Sequence, residues 1–161
     1  MCLAVPVKHN NKGGNPMKRV TAFCLFVFLS LSSSYGSELK LEIIGAATAS
    51  NLYLSFLSIG IIADSQTKGV YDAEKSVTFI NSIISQMKVQ KEYLEKFLAS
   101  GEVPEPDIPV VKKMTECFAL LIDEGNYLAD YVKTGDKNSL SSYDGKRKQA
   151  WALLSDILGI N

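Results

Sequence analysis

Ala73–Leu98 reads AEKSVTFINSIISQMKVQKEYLEKFL. Within it Ala73, Val77, Ile80, Ile84, Met87, Lys91, Leu94 and Leu98 recur at alternating spacings of four and three. That rhythm places one residue per turn on a single helix face, so the segment predicts a long amphipathic helix with a heptad seam broken once by Lys91. Ile83 and Phe97 widen the apolar stripe, and Glu92 and Lys96 form an i,i+4 pair on the opposite side. Asp72 supplies an N-cap acceptor, and Ser100-Gly101 supplies the stop, so the helix is expected over about 72–100.

The same grammar continues towards the C-terminus. Val103-Pro104-Glu105-Pro106-Asp107-Ile108-Pro109 cannot continue a helix, because proline lacks the N–H and clashes with the preceding turn. A new helix is expected from near Asp107, with Val111, Met114, Phe118, Leu121, Gly125, Leu128 and Val132 on its seam and Thr134-Gly135 at its end. Gly125 falls on the seam, which points to close contact with another backbone. A last helix is expected to start within Asn138–Ser142, its first turns weakened by Gly145. It carries Leu140, Tyr143, Arg147, Ala150, Leu154 and Ile157, and stops at Leu158-Gly159.

Towards the N-terminus, a helix is expected over about Ser37–Ser65, ended by Lys68-Gly69. Ile43–Ala63 carries no charge and is long enough to span a bilayer. Thr48, Ser50, Asn51, Ser55 and Ser58 interrupt its surface, however, and neither flank has the Lys/Arg excess that sets an orientation. It is expected to be the central, most buried helix of a soluble bundle, with Gly45, Ala46, Ala47 and Ala49 admitting a close neighbour. Four long helices with short links predict an all-α, up-down-up-down four-helix bundle spanning residues 37–161, with Ile84, Phe118 and Leu154 in its core.

Residues 1–36 read as a cleavable signal peptide. Lys18-Arg19 precede a ten-residue apolar run, Val20–Leu29, and then Ser34-Tyr35-Gly36 offers small residues for cleavage after Gly36. Met17 is the expected natural start. The apolar run is short of the roughly 20 residues that a span needs. Export to the periplasm or the exterior is expected. Cys2, Cys24 and His9 would leave with the leader, so the mature chain would hold one cysteine, Cys117, and no histidine.

The chain has 17 basic and 17 acidic residues, but the leader holds four basic residues and no acid. The mature part is therefore net acidic, at about −4, which argues against nucleic-acid binding. No cofactor or metal is expected. Haem attachment through Cys-x-x-Cys-His, di-iron Glu-x-x-His pairs and zinc ligation all lack their ligands, and histidine-based nucleophilic catalysis lacks its base. Glu116, Asp123, Glu124 and Asp130 are acids on one helix. They are expected to form a solvated face rather than a catalytic pair. Cys117 is expected as a small buried hydrophobe.

Lys91 and Arg147 interrupt apolar seams. Each either snorkels to water or enters a buried ion pair or polar pocket that fixes register or binds an anion. Thr48 and Asn51 are candidates to extend such a polar layer. Trp151, Tyr127 and Tyr131, with Tyr53, Tyr93 and Tyr143, are expected to pack with hydroxyls at the rim, or to form a partner surface. With Arg147 and Lys91, Trp151, Tyr127 and Tyr131 are the candidate ligand or partner residues. The leading expectation is an exported, non-enzymatic bundle acting by protein binding as adaptor, inhibitor, holdase or assembly component. Its mature chain would not span a membrane, and homo-oligomerisation is compatible with the pattern. A carrier of a small apolar or anionic ligand is the alternative, favoured by a closed pocket of Tyr53, Tyr93, Arg147 and Trp151. A carboxylate-dependent enzyme comes last.

Overall fold

A computed structural model describes residues 16–160, with side chains described from residue 39. Among the described residues the protein is all-α, with four helices and no strand. The helices are α1 (Pro16–Thr67), α2 (Ala73–Ser100), α3 (Ile108–Thr134) and α4 (Lys137–Leu158), with a single 3-10 turn at Glu105–Asp107 before α3. The expected leader, including its cleavage point after Gly36, lies outside the residues described in full. The backbone of α1 begins at Pro16, so the start expected near Ser37 is not a helix boundary. The chain divides into two compact units between Glu42 and Ile43, and the second contains the core.

The caps explain the boundaries. The Asp72 carboxylate accepts from the Lys75 N–H at 2.7 Å. Asp136 does the same for α4, accepting from the N–H groups of Asn138 and Ser139. That cap sets the start of α4 at Lys137, one residue ahead of the expected window, and Gly145 is an ordinary interior position of the helix. Gly69, Gly101, Gly135 and Gly159 all have φ between 66° and 73°. This is the left-handed conformation that ends a helix and that residues with a Cβ avoid.

The seams meet in one core. Ile80, Ile84, Met87 and Leu94 of α2 face Met114, Phe118, Leu121 and Leu128 of α3, and Ala150 and Leu154 come from α4. Leu52, Phe56, Ile59 and Ile62 of α1 complete the cluster. The expected core positions Ile84, Phe118 and Leu154 are all buried.

The most buried helix is α3 rather than α1, because α3 packs against both α2 and α4. The uncharged stretch of α1 is one-sided. Leu52, Phe56, Ile59 and Ile62 point inward, while Ile43, Ile44, Leu54 and Ile61 are exposed. Absence of charge therefore marks no burial here.

The expected close approach at Gly45 is also absent, since a Cβ there would meet nothing within 4 Å. The tight positions are Gly60 and Gly125. At Gly125 a Cβ would lie 3.0 Å from Cγ1 and Cδ1 of Ile84, so the neighbour is a side chain rather than the backbone expected. Gly125→Ala should lose about 1–2 kcal/mol, overpacking outweighing alanine's helix preference. Gly145→Ala, with open space at its Cβ inside α4, should gain about 0.5–1 kcal/mol. Urea denaturation of the two variants checks both signs.

Candidate functional site

Arg147 organises the most distinctive part of the molecule. It occupies the α4 seam between Tyr143 and Ala150, and its guanidinium crosses to α1 and α3. Nη1 donates to the Phe56 carbonyl at 3.1 Å and to Glu124 Oε1 at 2.6 Å. The guanidinium carbon lies 3.9 Å from the centroid of the Phe56 ring, which in turn packs on Trp151 at 5.3 Å. Gly60 makes room for this arrangement, because a Cβ there would stand 2.5 Å from Nη2.

Glu124 is 0% exposed, in contrast to the solvated face expected of it. Its Oε2 has no hydrogen-bond partner among the described residues. Burial pushes its carboxyl up to about 7, and the hydrogen bond and charge of Arg147 offset only part of that effect. The other acids stay outside. Asp123 pairs with Lys146 at 2.8 Å near the surface, and Glu116 and Asp130 are exposed. The carboxylates thus form no convergent acid pair.

The charge at Arg147 is therefore bound within the fold by an internal carboxylate. Lys91 behaves differently. Its ammonium pairs with Glu95 on the next turn of the same helix at 2.6 Å, which is the snorkelling expected of it. Thr48 and Asn51 do not extend the Arg147 layer. They line a shallow groove of about 480 Å³ between α1 and α2, with Tyr93, Gln90 and Phe97.

Beside Arg147 lies an open cavity of about 500 Å³ between α1, α3 and α4. Leu57, Ile61, Leu128 and Leu140 give it apolar walls; Tyr131, Tyr143 and Arg147 give it polar groups. The closed pocket of Tyr53, Tyr93, Arg147 and Trp151 that would favour a ligand carrier is not formed. Tyr93 lies in the α1–α2 groove and Tyr53 is half-exposed. Trp151 covers the outer face of Phe56 at 41% exposure. Tyr127 and Tyr131 both rest on the core edge, but only Tyr131 lines the cavity beside Arg147.

Glu124 and Gly60 are the members that sequence reasoning missed. A usable signal existed: Glu124 lies one turn beyond Leu121, at the margin of the α3 stripe, and carries the charge opposite to the one interrupting the α4 stripe.

Cys117 is buried, with Sγ 3.9 Å from the Ala150 carbonyl. Burial, followed by the charges of Glu124 and Glu116, pushes its thiol up to about 12. In the folded protein at pH 8 it should resist iodoacetamide, and alkylation should appear only as the chain is unfolded in denaturant. Mass spectrometry of the quenched reaction measures this directly.

No protein-family model, no curated protein and no solved structure matches this chain.

Proposed function

We propose that this chain is an exported, non-enzymatic helical bundle, with its helices running up-down-up-down, that acts by binding an apolar helical segment of another protein. The outward stripe of α1 is the observation that carries this. Ile43, Ala47, Ser50, Leu54 and Ile61 are spaced by four, three, four and seven residues, which is a second seam on the side of α1 opposite Leu52, Phe56 and Ile59. Leu54 and Ile61 are 58% and 61% exposed. A seam with heptad spacing and no charge matches the apolar face of a partner helix. Export rests on the basic, apolar and small-residue pattern of residues 18–36. The stretch Leu39–Thr67 is long and apolar enough to cross a membrane, but Leu52, Phe56, Ile59 and Ile62 pack against protein in the core. That supports a mature chain outside the bilayer. The net acidic mature sequence supports a protein partner over nucleic acid.

The test expresses the tagged full chain in an exporting cell. N-terminal sequencing of the exported protein should begin at Ser37 or within a few residues. Crosslinking from a photoreactive residue at position 54 should capture a partner through one of its helices. Leu54→Glu should abolish that capture while leaving circular dichroism and melting unchanged. Retention of the protein in membranes after alkaline extraction would overturn the assignment. So would a mature chain that keeps Met17. Capture of a second copy of the chain at position 54 would replace the foreign partner with a homodimer.

A further inference from the structure

We propose that the cavity beside Arg147 binds a small monocarboxylate with an apolar body, and that Glu124 takes up a proton when it does so. This site shares Ile61 with the end of the outward stripe of α1, but Leu54 takes no part in it.

The cavity, at about 500 Å³, falls within the range of small-molecule sites. Leu57, Ile61, Leu128 and Leu140 form an apolar side that suits a short acyl chain, while Gln66 and Thr67 add polar groups. Arg147 lines it, and the side chain keeps 27% exposure although Nη1 is committed inward to Glu124 and the Phe56 carbonyl. A guanidinium has five N–H donors in a planar fork, so one edge holds the internal carboxylate while another remains for an incoming one. The hydroxyl-bearing Tyr131 and Tyr143 stand at the same cavity. Asp64 also lines it, with its carboxylate drawn to Lys68 at 2.7 Å on the exposed surface.

Two carboxylates on one guanidinium leave a net negative charge in a partly buried place. Glu124 is the one that yields. It is fully buried, its Oε2 lacks a partner among the described residues, and a protonated Oε2–H tolerates that burial better than a carboxylate does. The groups facing it are few. Arg147 and Tyr143 come from α4, and Cys117 comes from its own helix. From α2 the closest groups at Gly125 are Ile80 and Ile84, which do not titrate, and α1 contributes the Phe56 carbonyl through Arg147. Tyr143 and Cys117 are both held neutral near pH 7, their acidities lowered by burial. The carboxyl of Glu124, raised by burial to about 7, is thus the one group among these placed to exchange a proton there. The balance is one carboxylate bound and one proton taken from solvent, with net charge conserved.

The test is isothermal titration of the full chain with octanoate, at pH 6 and pH 8, in buffers of different ionisation heat. Octanoate should bind better than octanol or acetate, with proton uptake per ligand approaching one at pH 8 and falling at pH 6. Affinity should weaken by up to about tenfold per pH unit above pH 7. Glu124→Gln, neutral at every pH, should bind octanoate without proton uptake and with a flat pH profile. The double variant Arg147→Met/Glu124→Leu should lose the preference for octanoate over octanol while its circular dichroism stays native. Leu54→Glu should bind octanoate as the wild type does, which separates this site from the protein-docking stripe. Equal binding of octanoate and octanol by the wild type would overturn the proposal. So would octanoate binding without proton uptake at pH 8, or no binding at millimolar concentrations.

Discussion

Arg147→Met should cost about 1.4 kcal/mol more folding stability at pH 8 than at pH 5, the worth of one pH unit of proton binding by Glu124 above pH 7. The loss at high pH does not measure the worth of the ion pair. It is the cost of leaving Glu124, 0% exposed, as a buried carboxylate with no counter-charge. The pH dependence follows from the folded carboxyl, raised to about 7 against an ordinary value of 4.5. A carboxyl raised by folding contributes stability that is fully present below the unfolded value and is lost as the pH rises through the folded one. Wild-type stability should therefore decline between about pH 4.5 and 7 on account of this group, then level off. In Arg147→Met the hydrogen bond and charge that hold Glu124 down are gone, so its folded value climbs further and the decline continues past pH 7. At pH 5 Glu124 is protonated in both proteins and the gap narrows.

The double variant Arg147→Met/Glu124→Leu separates the pair from its removal. Replacing both charges with apolar groups of similar size removes both desolvation penalties, and in other buried pairs it has been neutral or stabilising. It should sit within about 1 kcal/mol of wild type at pH 8, or above it. A double-mutant cycle by urea denaturation at pH 5 and pH 8 reads the coupling directly. A single variant as stable as wild type at pH 8 would mean that Glu124 reaches water. Gly60→Ala offers an independent check. The added methyl displaces the guanidinium without touching either charge, and it should reproduce the sign and pH trend of the single variant.

How much of this was legible in the sequence depended on periodicity. The α2 seam from Val77 to Leu98 and the α3 seam from Met114 to Leu128 could be read from spacing, because each turn buries one residue against a neighbour. The Asp72 cap and the four glycine stops were equally clear, since each rests on local backbone chemistry. Asp136 was open to the same logic, being followed by Asn138 and Ser139, whose N–H groups it accepts. Gly145 suggests a later start for α4, but a glycine inside a helix weakens it without ending it. What periodicity could not give was the exposure of α1. Ile43–Ala63 is apolar or small on nearly every face, so pattern alone does not say which face is covered. Glu124 escaped for a related reason. An acid at the margin of a stripe resembles a solvated one until its partner is placed, and that partner is 23 residues away on another helix. The Arg147 position itself was visible as a charge on a seam. Its two readings, snorkel or buried pair, were separable only by the neighbouring helix.

Phe118→Ala should cost about 3–5 kcal/mol, with no pH dependence between 5 and 8. Phe118 is the largest of the fully buried side chains, and it sits on α3, the helix that both α2 and α4 pack against. Truncation removes an aromatic ring from the place where the seams of Ile84, Leu121 and Leu154 meet. The helices around it are held by caps and by their own hydrogen bonds, so they can close the space only in part. The loss is then the transfer term plus a cavity. Ile84→Ala and Leu154→Ala should fall at about 2–5 kcal/mol by the same mechanism. Trp151→Ala should cost less despite the larger side chain, because Trp151 is 41% exposed and covers only one face of Phe56. Denaturant midpoints at constant m-value check the order. If Trp151→Ala proved as costly as Phe118→Ala, the outer face of α4 would be part of the core rather than its lid. The contrast with Arg147→Met is the sharper readout. A cavity loses the same free energy at pH 5 and pH 8, whereas an uncompensated carboxylate does not, so the two profiles separate packing from charge within one set of melts.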